Sequence, residues 1–116
     1  MTRFLFLALL AAGPATAADW PIKPGDVPLS AEELDALAGR TLIFYDDGQA
    51  KFSAGGAYSY TYASGDSAFG TYSIAEDGSV CIAYRNGFSR CDLYVRSGDR
   101  LILIDEKGDR YPVRPE

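Results

Sequence analysis

The chain has 116 residues, 16 acidic against 11 basic side chains, a formal charge of −5, two cysteines and no histidine. The missing histidine removes the commonest general base, the Ser-His-Asp triad and most transition-metal sites, and the acidic balance argues against nucleic acid and anionic membrane surfaces, which are bound by clustered Lys and Arg. Carboxylates stand mainly at turn positions, as at Asp46, Asp47, Glu76, Asp77, Asp105 and Glu106, where they shape backbone; the spacing of Asp46 and Asp47 is not that of a calcium loop, so neither an enzyme nor a cofactor or metal is expected.

Residues 1–17 have the form of a secretory signal. Arg3 supplies the positive charge, Phe4 to Ala12 a short apolar run, and Ala15-Thr16-Ala17 a small-residue cleavage site. A nine-residue apolar run is too short to span a bilayer. The remainder is long enough for one domain with one core.

Residues 18–29 carry three prolines, Pro21, Pro24 and Pro28. They deny this segment both a helix and a central strand, which predicts an extended arm with Trp20 as its anchor. The domain proper, 30–116, opens on a short helix at about 31–38. Ser30 and Glu33 form a capping box, Leu29 and Leu34 a hydrophobic staple, and Leu34, Leu37 and Ala38 the apolar stripe ahead of Gly39. Two turns of helix are not stable alone, so the helix is expected against a sheet, closing one end of it.

From Arg40 the pattern changes to short β-branched and aromatic runs, at about 40–45, 49–53, 57–63, 68–74, 79–84, 88–95, 100–104 and 109–113. Turn signals separate them, among them Asp47-Gly48, Gly55-Gly56, Ser64-Gly65, Asp77-Gly78, Asn86-Gly87, Gly98-Asp99 and Lys107-Gly108. Connections so short permit only antiparallel neighbours. The expected fold is all-β: an eight-stranded up-and-down meander, closed as a small barrel or strongly coiled, with one short N-terminal helix. The strands are too short for an outer-membrane barrel.

Two stretches stand out within that pattern. Tyr58, Tyr60 and Tyr62 alternate with Ser59 and Thr61 and so share one face of one strand, where they either fill the interior or line a pocket mouth for a ligand or partner. Ser64, Gly65 and Asp66 follow as a hairpin turn and candidate interaction loop.

The second stretch runs from Ser79 to Val95 and holds both cysteines. A three-residue Arg85-Asn86-Gly87 loop places Tyr84 opposite Phe88 and Cys81 opposite Cys91, on a non-hydrogen-bonded pair close enough for a bridge. A two-residue loop shifts the register and parts the sulfurs. The faces conflict: Leu93 and Val95 suggest that the cysteine face is inward, yet Val80 and Ile82 then face water, with Arg90 and Asp92 on a partly covered outer face.

From Leu37 onward the chain resembles a family of small exported proteobacterial β-domain proteins with a two-Cys hairpin, of no established activity. The resemblance is carried by Leu37-Ala-Gly39, Asp47-Gly48, Gly70-Thr-Tyr72, Asp77-Gly78, Cys81, Cys91 and Lys107-Gly108, and what it implies is architecture. By looser analogy the strand pattern is similar to a calycin-like barrel, which implies a small apolar or aromatic ligand. Ala63 to Phe69 resembles the Ser-Gly loop of periplasmic lysozyme inhibitors, which implies a basic protein partner. The expectation is a non-enzymatic binding module, periplasmic or secreted, with an interaction domain or a structural envelope protein as alternatives.

Overall fold

The structure, a computed structural model, describes residues 20–116; the expected signal segment lies outside the described residues. Eight strands follow one another in a curled half-barrel sheet: β2 Thr41–Ile43, β3 Gln49–Phe52, β4 Ala57–Thr61, β5 Ser67–Ile74, β6 Val80–Tyr84, β7 Ser89–Ser97, β8 Arg100–Ile104 and β9 Arg110–Pro112. Every pairing is antiparallel, in the up-and-down order that the short turns require. The two edges of the sheet touch where Phe44 bridges Val113 and the Arg114 N–H donates to the Ile43 carbonyl at 2.7 Å.

One turn chemistry recurs between the strands. The closing pairs Phe44/Gly48, Ser53/Ala57, Tyr62/Asp66, Ala75/Ser79, Tyr84/Phe88 and Asp105/Asp109 each enclose three residues. The third of these has a positive φ, as at Gly87 (91°), and a glycine there avoids the Cβ penalty. At the first turn that position is Asp47 (φ 71°) instead, and Gly48 serves packing. The register of β6 on β7 is the one expected: Cys81 lies opposite Cys91, with Cα atoms 4.0 Å apart and the disulfide formed.

The arm contributes more than an extended segment. Asp26–Pro28 forms a ninth strand, β1, paired with the second half of β7, Val27 opposite Arg96. Proline is compatible with so short an edge strand, because its missing N–H costs no ladder bond in the sheet interior. The helix, α1, is shorter than expected, Ala31–Asp35, with its Ser30–Glu33 capping box complete. Beyond it, Leu37 and Ala38 bond back to Leu34 and Asp35, tighter turns that frequently finish a helix. The Gly39 N–H donates to the Phe52 carbonyl at 2.7 Å and hands the chain to the sheet. Buried Leu34 and Leu37 put the helix over the end of the half-barrel that holds the β3–β4 and β5–β6 turns.

β7 is the strand on which the fold turns. Its first half, Ser89–Asp92, pairs with β6, whereas Leu93–Ser97 pairs with β8 on one side and partly with β1 on the other. β8 ends at Ile104, opposite Leu93, so the β6–β7 hairpin projects past it and leaves the β8 side of Ser89–Asp92 open.

The alternation of β7 and β8 feeds two cores. Tyr94, Leu101 and Leu103 join Phe52, Leu42, Val80 and Ile82 on the concave side. Leu93, Val95, Ile102 and Ile104 form a second, aliphatic layer on the convex side, covered by Trp20 and Ile22 of the arm. This overturns the expectation that the cysteine face is inward. Val80 and Ile82 are 1% and 3% exposed, and Arg90 and Asp92 share their concave face. Leu93 and Val95 misled because strands covered on both faces read as continuous apolar runs, which carry no inside–outside signal.

A tyrosine-lined cleft as the candidate functional site

A cleft of about 500 Å³ opens at the end of the half-barrel opposite α1, beside the free flank of Ser89–Asp92. The β2–β3, β6–β7 and β8–β9 turns surround it, through Asp46, Phe88 and Glu106.

Its long wall is the tyrosine strand. Period-two alternation points Tyr58, Tyr60 and Tyr62 to the concave side, and their burial falls along the strand: Tyr58 is 8% exposed, Tyr60 half-buried and Tyr62 53% exposed. The two readings of this ladder divide along one strand. Tyr58 fills the core, its ring 5.2 Å from Phe52 and 6.1 Å from Tyr84. Tyr60 and Tyr62 line the opening, 5.0 Å apart and tilted edge to face. Gly48 is what lets Tyr60 lie there, since a Cβ at position 48 would overlap the Tyr60 hydroxyl.

The floor holds an ion pair. The Arg90 guanidinium donates to both carboxylate oxygens of Asp92, with Nη2 at 2.7 Å from Oδ1 and Nε at 3.1 Å from Oδ2. The Asp92 side chain is 7% exposed and that of Arg90 41%, so the charge that cannot reach water is the negative one. Burial raises the Asp92 pKa, with Arg90 opposing the rise and Asp105 and Glu106 adding to it. Burial also disfavours charge on Arg90, but its hydrogen bonds to Asp92 and the attraction of that carboxylate outweigh this and raise its pKa. Around the pair, burial raises the hydroxyls of Tyr58, Tyr60, Tyr84 and Tyr94, which therefore stay neutral at physiological pH. The cleft thus presents aromatic faces, neutral hydroxyls and a guanidinium already satisfied by a carboxylate.

Most turn carboxylates have the structural work that the sequence assigned them. Asp46 Oδ1 accepts the Gly48 N–H, Asp77 accepts Ser79 and the Trp20 indole, and Asp105 Oδ1 accepts the Lys107 and Asp109 N–H groups. Asp47 pairs with Arg114 at 2.7 Å, so Asp46 and Asp47 do not act together. Among the described residues no group of three or more His, Cys, Asp or Glu is placed to hold a metal ion. The Ser64-Gly65-Asp66 segment is an exposed hairpin turn whose side chains bond to each other, Ser64 Oγ donating to Asp66 Oδ2 at 3.3 Å. It follows Tyr62 in the chain but does not line the cleft.

Cys81 and Cys91, half-buried on the convex side of the β6–β7 hairpin, brace the strands that carry Arg90 and Asp92 on the other face. The sequence pattern leaves Arg90 and Asp92 on a partly covered outer face and singles out neither Tyr84 nor Tyr111 as a site residue. The signal was present in the conflict itself, because a charged pair that shares a face with Val80 and Ile82 belongs beside a core. Comparison of the chain with family models, curated proteins and solved structures finds no match.

Proposed function

We propose that this chain is an exported, non-enzymatic binding module that takes a ligand with an apolar or aromatic body in the tyrosine-lined cleft. The observation that carries the reading is the cleft itself, about 500 Å³ in size, walled by Tyr60, Tyr62 and Tyr84 and floored by the Arg90–Asp92 pair. Volumes in that range suit small organic ligands, and apolar walls with a few fixed polar groups are the usual composition of such sites. Export is supported by the signal-like segment at 1–17, by the Cys81–Cys91 bridge, which persists in an oxidising compartment, and by the lack of any helix long and apolar enough to cross a membrane among the described residues. The resemblance of the stretch from Leu37 to Gly108 to small exported proteobacterial β-domain proteins is a further support for export.

The test is a titration of the oxidised protein with a small aromatic probe such as benzyl alcohol, followed through amide NMR signals. Shifts confined to Gly48, Ser89, Arg90 and Lys107, weakened by Tyr60→Ala, are expected; shifts scattered over the surface or absent up to millimolar probe would sink the reading. A partner-binding alternative draws on Phe88, 70% exposed at the cleft rim with Tyr62 and Tyr111. Exposed aromatics clustered at a concavity are the usual anchors of a protein interface.

A further inference from the structure

The geometry points to an organic cation as the ligand of this cleft: an ammonium or guanidinium group carried on an apolar body. The inference rests on the binding-module reading and names the chemical class that the site selects.

The charges in and around the cleft do not balance. Asp46, Asp92, Asp105 and Glu106 line it, against Arg90 and Lys107. Arg90 is committed to Asp92 by a two-pronged contact, which leaves Asp46, Asp105 and Glu106 facing Lys107. Asp105 is 8% exposed, and its Oδ1 already accepts two backbone N–H groups. No hydrogen bond reaches its second oxygen among the described residues, which leaves one acceptor of a largely buried carboxylate free at the cleft.

The walls favour the same ligand. Tyr60, Tyr62 and Tyr84, with Phe88 and Tyr111 at the rim, offer ring faces, whose quadrupole attracts a cation, and burial strengthens that attraction. An anionic ligand would displace water from Asp105 and Glu106 and meet like charge. A neutral one would desolvate the carboxylates and return nothing to them. Only a cation gains from both rings and carboxylates.

Three probes of nearly one shape separate these cases: benzyltrimethylammonium, the neutral neopentylbenzene and the anionic benzylsulfonate, each titrated into the oxidised full chain and followed at the amides of Gly48, Arg90 and Lys107. The cation should bind about tenfold tighter than the neutral probe, with the anion weakest. Asp105→Asn with Glu106→Gln should remove most of that preference, weakening the cation while neopentylbenzene, which no longer desolvates two charged carboxylates, binds at least as tightly as before. Asn keeps the acceptor oxygen of the turn, and a thermal melt checks that the variant folds. If neopentylbenzene or benzylsulfonate binds in the cleft as tightly as the cation, the cation inference is overturned and the binding module stands. If none of the three shifts the cleft signals, both fall together. A fourth probe, acetyl-Gly-Arg-Gly-amide, separates the sources of the cation: tighter binding than benzyltrimethylammonium assigns it to a basic side chain of a protein, weaker binding to a free small molecule.

Discussion

The concave and convex faces of β7 and β8 are built from alternate residues of the same strands, yet they are different materials. On the convex side Leu93, Val95, Ile102 and Ile104 lie under Trp20 and Ile22, an aliphatic layer sealed by the arm. On the concave side Tyr94, Leu101 and Leu103 follow the same alternation into the main core, and only Arg90 and Asp92, beyond the end of β8, reach the open space walled by tyrosines. The difference teaches that both faces serve stability and that recognition is left to the open end of the concave one: a dry layer gains from every methylene it buries, whereas an open, hydroxyl-lined mouth gains little from its outermost rings.

The widest separation is expected from truncations on the two sides. Leu93→Ala, at a position 1% exposed, should cost about 2–5 kcal/mol in urea unfolding. Tyr62→Ala, at 53% exposure on the cleft mouth, should stay within about 0.5 kcal/mol. Comparable losses would mean that the mouth is packed and not open.

Removing the bridge comes next. Cys81→Ser with Cys91→Ser frees a loop of sequence separation 10, and chain entropy puts the loss at roughly 2.5–3 kcal/mol. Because the sulfurs lie on the face away from the cleft, probe affinity of the still-folded protein should be unchanged. A large loss of affinity would show that the disulfide shapes the cleft as well as holding the hairpin.

The ion pair should respond unequally at its two ends. Arg90→Met strands a carboxylate 7% exposed, while Asp92→Asn leaves a guanidinium that already reaches water. With the exposed end discounting the effect, we expect about 1–3 kcal/mol for the arginine variant and less than half of that for the aspartate one, by chemical denaturation at pH 7. Equal costs would mean that both charges are equally buried.

The smallest effect, and the finest distinction, lies in acid. Hydrogen bonds from Arg110 hold Asp26 below the usual carboxylate range, and Ser79 and Trp20 help to do the same for Asp77, so the stability these two arm contacts contribute is full above the unfolded Asp pKa of about 3.9 and is lost as pH falls through their lower folded values. Asp92 is raised, which reverses the sign: between its folded pKa and about 3.9 the folded protein takes up the proton first, so acidification over that window stabilises. Stability followed from neutral pH downward should rise slightly and then fall. Asp92→Asn should abolish the rise and keep the fall; a rise that survives this substitution belongs to another group.

The legible part of the molecule was its local chemistry. The placement of the turns, the three-residue Arg85-Asn86-Gly87 loop, the Ser30–Glu33 capping box and the opposition of Cys81 to Cys91 depend on neighbours in sequence, on backbone sterics and on period-two alternation. The eight strands of the meander follow from these, because short turns leave each strand no partner but the next. The tyrosine strand was legible as one face, though not as a gradient from core to mouth.

What the sequence by itself determined, then, was pairing: which residues form strands, where they turn and which cysteines meet. What only the tertiary structure decided was sidedness. Whether Val80 or Cys81 faces the interior depends on the direction in which the sheet curls, and on an arm more than fifty residues upstream that pairs with β7 as β1 and lays Trp20 and Ile22 over the convex face. With Leu93 and Val95 buried under that arm, Val80 and Ile82 join the concave core, and the early end of β8 leaves only Arg90, Asp92 and the outer tyrosines beside an opening. Alternation along a strand states that two faces differ; long-range burial alone states which of them meets water.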